Sequence, residues 1–233
     1  MHPTPCTDRG TTRRAMMAGL LALAVAGTAC AASVTGSGQR TSEARSVGAF
    51  EAIDVAGPIK LIVRQAQSVA VTIEADDNVA PLIVTEVVSR GGRDTLRVRP
   101  RPGESLRRHG PIVATVDVVK LEAVSMSGSG DVEVGTLQTP SLKLSLSGSS
   151  DAVLNGLTTE KFDASISGSG DIRASGQARD VRLSIAGSGD ANLAELTADT
   201  VKVSIAGSGD VRYAGNATDV RSSIAGSGNV RRR

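Results

Sequence analysis

The chain contains no tryptophan, one tyrosine (Tyr213) and two phenylalanines (Phe50, Phe162) in 233 residues. A core so poor in rings has to be built from Val, Leu, Ile and Ala, which suits stacked strands in which like positions lie on one another. The shortage also removes the usual platform for stacking sugar rings. Cysteine is confined to Cys6 and Cys30, so everything beyond residue 30 lacks a disulfide, a cysteine metal site and a thiol nucleophile. Histidine occurs only as His2 and His109, and neither a Ser-His-Asp set nor a metal-binding histidine cluster can be assembled from them.

Net charge is missing as well. The formal +2 traces to Arg9, Arg13 and Arg14 set against Asp8; beyond residue 30 there are 23 cationic and 23 acidic side chains. Nucleic-acid binding needs a clustered positive excess, so it is not expected. Local basic stretches do exist at Arg90 to Arg108 and at Arg231-Arg232-Arg233. Asp94 and Glu104 dilute the first of them, which reads as a solvated strand edge, with His109 in an exposed loop beside it.

The N-terminus has the layout of an export signal. Arg13 and Arg14 precede Ala15 to Ala29, an apolar stretch too short for an ordinary membrane span. Gly27-Thr28-Ala29-Cys30 resembles the lipobox of bacterial lipoproteins, in which the cysteine is lipidated and becomes the first residue. The match is partial, because Gly27 stands where a larger aliphatic residue is usual. Cys30 is therefore the candidate lipidation site and membrane anchor, and residues 1–30 are read as a signal peptide. Residues 31–48 are rich in Ser, Thr and Gly and read as a flexible linker.

What the chain has in abundance is one phrase. It reads SMSGSGD at Ser125–Asp131, SLSGSSD at Ser145–Asp151, SISGSGD at Ser165–Asp171, SIAGSGD at Ser184–Asp190 and Ser204–Asp210, and SIAGSGN at Ser223–Asn229. The starts are 20, 20, 19, 20 and 19 residues apart. A fixed period of this size predicts a repeat architecture in which each unit covers only its neighbours. Within each unit aliphatic and polar residues alternate, as in Val201-Lys202-Val203-Ser204-Ile205, which puts the aliphatics on one face. The expected fold is all-β: a single-domain parallel β-solenoid of about 20-residue coils over 121–233, preceded by less regular β structure over 49–120. Met126, Leu146, Ile166, Ile185, Ile205 and Ile224 would form one interior ladder. Each coil is expected to have at least two strands and two bends. An antiparallel sandwich or barrel also fits regular turns, but its hairpins would have no reason to use one corner chemistry six times.

Glycine at the first and third positions of Gly-Ser-Gly-Asp is expected to permit positive φ at a sharp corner. The Asp is expected to bond its own neighbouring backbone. The sharper alternative is a calcium site, because stacking would place Asp131, Asp151, Asp171, Asp190 and Asp210 in a row about 5 Å apart. No other cofactor is expected. The serines that open the phrases, Ser125 to Ser223, read as an outward hydroxyl face. Asp131 and Glu133 are the nearest approach to a glycosidase pair, but acids on a strand edge are usually only solvated. The last coil is expected to leave an edge that its arginines blunt, or at which a second copy self-associates.

The opening Phe50-Glu51-Ala52-Ile53-Asp54-Val55-Ala56-Gly57, the run Val69 to Val87 and the repeated corners together resemble the bacterial putative auto-transporter adhesin, head GIN domain family. The resemblance runs from about Val47 to Arg233. It implies a secreted or surface β-solenoid acting in adhesion, and it brings no catalytic residues with it. The reading is a non-enzymatic, exported, lipid-anchored protein of the cell envelope, adhesin-like, with a protein or glycan ligand. The alternatives are a periplasmic structural or partner-binding solenoid and, behind it, a carbohydrate-active enzyme.

Overall fold

The computed structural model describes residues 33–90, 92–107, 109–215 and 217–233, without the side chain of residue 90. The expected signal peptide, with His2, Cys6 and Cys30, lies outside the described residues. Among the described residues no helix is long and apolar enough to cross a membrane.

The first half of the domain contains β1 (Ser33–Thr35), β2 (Arg40–Arg45), β3 (Ala52–Ala56), β4 (Ile59–Gln65), β5 (Ala70–Asp76), β6 (Ile83–Arg90), β7 (Arg93–Pro100), β8 (Ser105–Arg107) and β9 (Ile112–Val118). The second half contains β10 (Ala123–Gly128), β11 (Asp131–Val134), β12 (Leu137–Gly148), β13 (Asp151–Gly168), β14 (Ile172–Gly187), β15 (Ala191–Gly207), β16 (Val211–Tyr213), β17 (Asp219–Gly226) and β18 (Val230–Arg232). In the second half every strand pairing is parallel and joins a residue to its counterpart one repeat away. The parallel β-solenoid expected from the period is the fold.

The expected interior ladder is present in register: Met126, Leu146, Ile166, Ile185, Ile205 and Ile224 are successive partners. It continues backwards into the less regular region through Val55 and Val98. All of these are buried except Ile224, which is 41% exposed because β17 has a strand neighbour on one side only. Each buried aliphatic side chain contributes about 1.5–3 kcal/mol, so the ladders are the main source of cohesion.

Each repeat makes three inward runs where the alternation suggested at least two strands. In β13 the buried residues are Ala152 and Leu154, then Leu157 and Thr159, then Phe162, Ala164 and Ile166. The runs are separated at Asn155-Gly156 and at Glu160-Lys161, where two successive residues stay out of the core. A strand can keep its side chains inward after such a break only by turning, so these pairs are corners. The 19-residue coil drops its missing residue at the first of these corners: the register between β13 and β14 shifts between Leu154 and Leu157, where Asn155-Gly156 lie opposite Ser175 alone.

The N-terminal end closes with antiparallel pairs. β6 pairs with β7 outside one sheet, and β5 lies between β9 and β2 outside the other. Strands reversed at the end of a parallel stack stop its growth there. Within the stretch expected to be a linker, Ser33–Thr35 and Arg40–Arg45 form strands: β1 pairs with β8, and β2 pairs with β5 over six residues. Thr41, Glu43 and Arg45 are the half-covered face of β2, an edge strand that needs no aliphatic residue and so carries no hydrophobic signal.

Candidate functional site

The repeats produce two regular surfaces, the Gly-Ser-Gly-Asp corner and the outward face of the serine-bearing strands.

At the corner the two glycines act differently. The first of each phrase has positive φ, for example +136° at Gly187 and +143° at Gly207. The third-position glycines are not in that region. They suit close stacking: a Cβ added at Gly170, Gly189 or Gly209 would lie 1.9–2.1 Å from a carbonyl oxygen of the coil below. Positive φ at both positions was therefore half right; close stacking dictates the second. Ser150, the one non-glycine in that slot, is fully buried, and its hydroxyl donates to the Gly128 carbonyl at 3.2 Å.

The aspartates do bond backbone amides, but across coils and not within their own turn. Asp151 accepts from the Asp171 amide at 2.9 Å, Asp171 from Asp190 at 3.0 Å, Asp190 from Asp210 at 2.7 Å, and Asp210 from Asn229 at 3.0 Å. Asn229 adds a second bond from its Nδ2 to Asp210 at 3.3 Å. Asp131 pairs in register with Asp151 at the start of the row. Among the described residues no group of three His, Cys, Asp or Glu side chains is arranged to hold a metal ion. One oxygen of each bonded carboxylate already serves the next coil. Adding millimolar calcium is therefore expected to leave the melting temperature unchanged; a rise of several degrees would assign the row to calcium.

The outward face carries a shallow groove of about 490 Å³ along the stack. One wall is the serine row, Ser165, Ser184, Ser204 and Ser223. The other, two residues earlier in each strand, is Lys143, Asp163, Arg182, Lys202 and Arg221. Strand register places each wall residue directly over its counterpart. The basic wall was missed in the sequence, although its signal was there: Lys143, Arg182, Lys202 and Arg221 each stand two residues before a serine of the phrase. Towards the N-terminal end the groove is tied up, with Ser165 Oγ donating to Ser145 Oγ at 3.2 Å. Towards the C-terminal end Arg182, Ser184, Lys202, Ser204, Arg221 and Ser223 are all exposed.

Other candidates are dispersed. Arg97 and Arg99 face Glu86 at 3.7 and 3.2 Å, and Arg93 faces Glu122 at 3.3 Å. Three arginines of the basic stretch, Arg93, Arg97 and Arg99, are thus paired with acids of neighbouring segments. Lys120 contacts Glu122 and Glu51, and its hydrogen bond holds the Glu122 carboxyl below the usual carboxylate range. Glu133 pairs with Lys60 at 3.0 Å, and His109 is exposed.

The family described as "Putative auto-transporter adhesin, head GIN domain" matches residues 49–232. Among solved structures, a "putative adhesin" from Bacteroides fragilis is 22% identical with a TM-score of 0.72, covering 86% of this chain and 100% of its own. A "putative lipid binding protein" from Parabacteroides distasonis is 18% identical with a TM-score of 0.68, covering 87% and 100%. A "putative adhesin" from Parabacteroides merdae is 22% identical with a TM-score of 0.60, covering 86% and 99%. At these identities they show a shared fold. No curated protein matches the chain.

Proposed function

Because the chain belongs to the putative auto-transporter adhesin, head GIN domain family, we propose that it is an exported, lipid-anchored interaction module of the cell envelope with an adhesin-like, non-enzymatic role. The observation that carries this reading is the periodic outward face. Six copies of one phrase place like polar groups at a constant spacing along a stack of coils, which suits contact with an extended partner. The family and the solved relatives are named as adhesins or as a binding protein, in keeping with a role in binding. Cys30 is the proposed lipid attachment point. Self-association through the last coil belongs to the same proposal: the outer side of β17 has no strand partner among the described residues, and Ile224 is open.

Protease shaving of intact cells tests the reading. The domain is expected to be cut from intact cells, and a Cys30→Ala variant is expected free in the medium. A domain protected until the envelope is opened would overturn the surface role and favour the periplasmic, partner-binding alternative.

A further inference from the structure

We propose that the C-terminal half of the serine-face groove binds an extended acidic polysaccharide, with uronate carboxylates on Arg182, Lys202 and Arg221 and sugar hydroxyls on Ser184, Ser204 and Ser223. The proposal rests on the interaction-module reading above and names the ligand class for it. The three cations occupy successive coils in register, about 4.8 Å apart. A sugar ring extends a polysaccharide by a comparable length; successive rings turn their carboxylates to alternate sides, and the long Arg and Lys side chains reach around the chain to meet them. The serine wall runs parallel to the cationic one, and these three hydroxyls make no hydrogen bond to any described residue. A hydroxyl both donates and accepts, as sugar hydroxyls do. Lys202 has no ion-pair partner among the described residues. Arg182 faces Asp163 at 3.6 Å and Arg221 faces Asp219 at 3.3 Å. These pairs lie on exposed side chains and hold their arginines weakly, so an incoming carboxylate displaces them readily.

The groove discriminates among polyanions by what it lacks. Single-stranded nucleic acid draws much of its affinity from stacking its bases on aromatic rings; a polysaccharide forgoes ring stacking here as well and is held by its carboxylates and hydroxyls alone. Phe162 is fully buried, Phe50 is buried in the connection before β3, and Tyr213 lies on β16 and does not line the groove. A lipid surface would need exposed large apolar side chains, and the described ones, Val119 and Ile224, are not among the groove residues.

The test uses the full chain in detergent, titrated with polygalacturonate, with neutral dextran and with oligothymidylate. Polygalacturonate is expected to bind, with an affinity that falls as salt rises, and dextran is not. The double variant Arg182→Ser/Lys202→Ser is expected to weaken binding by about tenfold or more. Ser184→Val/Ser204→Val is expected to weaken it several-fold with the salt dependence retained. Both variants alter exposed strand positions, and unchanged melting curves verify that they fold. Undiminished binding by the charge variant, or equal binding of dextran, overturns the proposal. Oligothymidylate binding as tightly as polygalacturonate overturns the glycan assignment in favour of a nucleic acid. The measurement is made in solution, so a failed shaving experiment and a failed titration remain separate results.

Discussion

Gly187→Ala is expected to be among the most damaging single substitutions in the chain, removing a methyl-sized freedom that two independent constraints demand. Its φ of +136° costs a non-glycine residue about 1–3 kcal/mol. The added Cβ would also lie 2.1 Å from the Gly168 carbonyl oxygen of the coil below. That atom is backbone within a strand ladder, so it cannot move without opening the parallel pairing on that side. Gly38→Ala supplies the control. Its φ is also positive, +79°, close to the left-handed region that other residues can enter, and nothing lies within 4 Å of the new Cβ, so it carries a milder conformational cost and no clash. Thermal melts are expected to show Gly187→Ala falling well below Gly38→Ala. Equal losses would mean the stack can dilate around a methyl group and that close approach is not what fixes the corner.

Phe162→Ala is the second large effect. Phe162 is the only aromatic side chain inside the repeat ladders between β12 and β14, fully buried, with Leu142 below it and Val181 above. Replacement leaves a void bounded on two sides by strands that their own hydrogen bonds hold in place, so collapse around it is limited. The expected cost is about 3–5 kcal/mol in chemical denaturation. Ile224→Ala, at a position with a neighbouring coil on one side and 41% exposure, is expected to cost far less. A comparable loss at both positions would show that the last coil is covered in solution, as it would be by a second copy of the chain.

Much of the fold was legible because a repeat writes the same instruction several times. The spacing of Ser125, Ser145, Ser165, Ser184, Ser204 and Ser223 gives the coil length, and alternation such as Val201-Lys202-Val203 gives the inward face. Together they suffice to align the ladder from Met126 to Ile224. Where the instruction is given once, reading failed. β2 was taken for a tether because an edge strand needs only half a covered face, which Thr41 and Glu43 provide without looking apolar. The middle inward run, Leu157 and Thr159 in one coil, is hidden because Thr159 is polar and leaves a single apolar residue to mark it. The aspartate bonds were assigned to the wrong amide because a sequence orders residues along the chain, whereas this bond runs along the stack. The basic wall went unseen for a similar reason: Lys143, Arg182, Lys202 and Arg221 are separated by whole coils and become one feature only when superposed.

At the corner opposite Ser175 a coil loses one residue while the strands on either side stay paired. Coils of 19 and of 20 residues share one cross-section, so the stack can lengthen or shorten by whole copies while every remaining ladder stays intact. Each copy added or removed changes the length by about 4.8 Å. Each copy is in that sense a division of a ruler, and inserting one whole copy is expected to extend the domain by that single step.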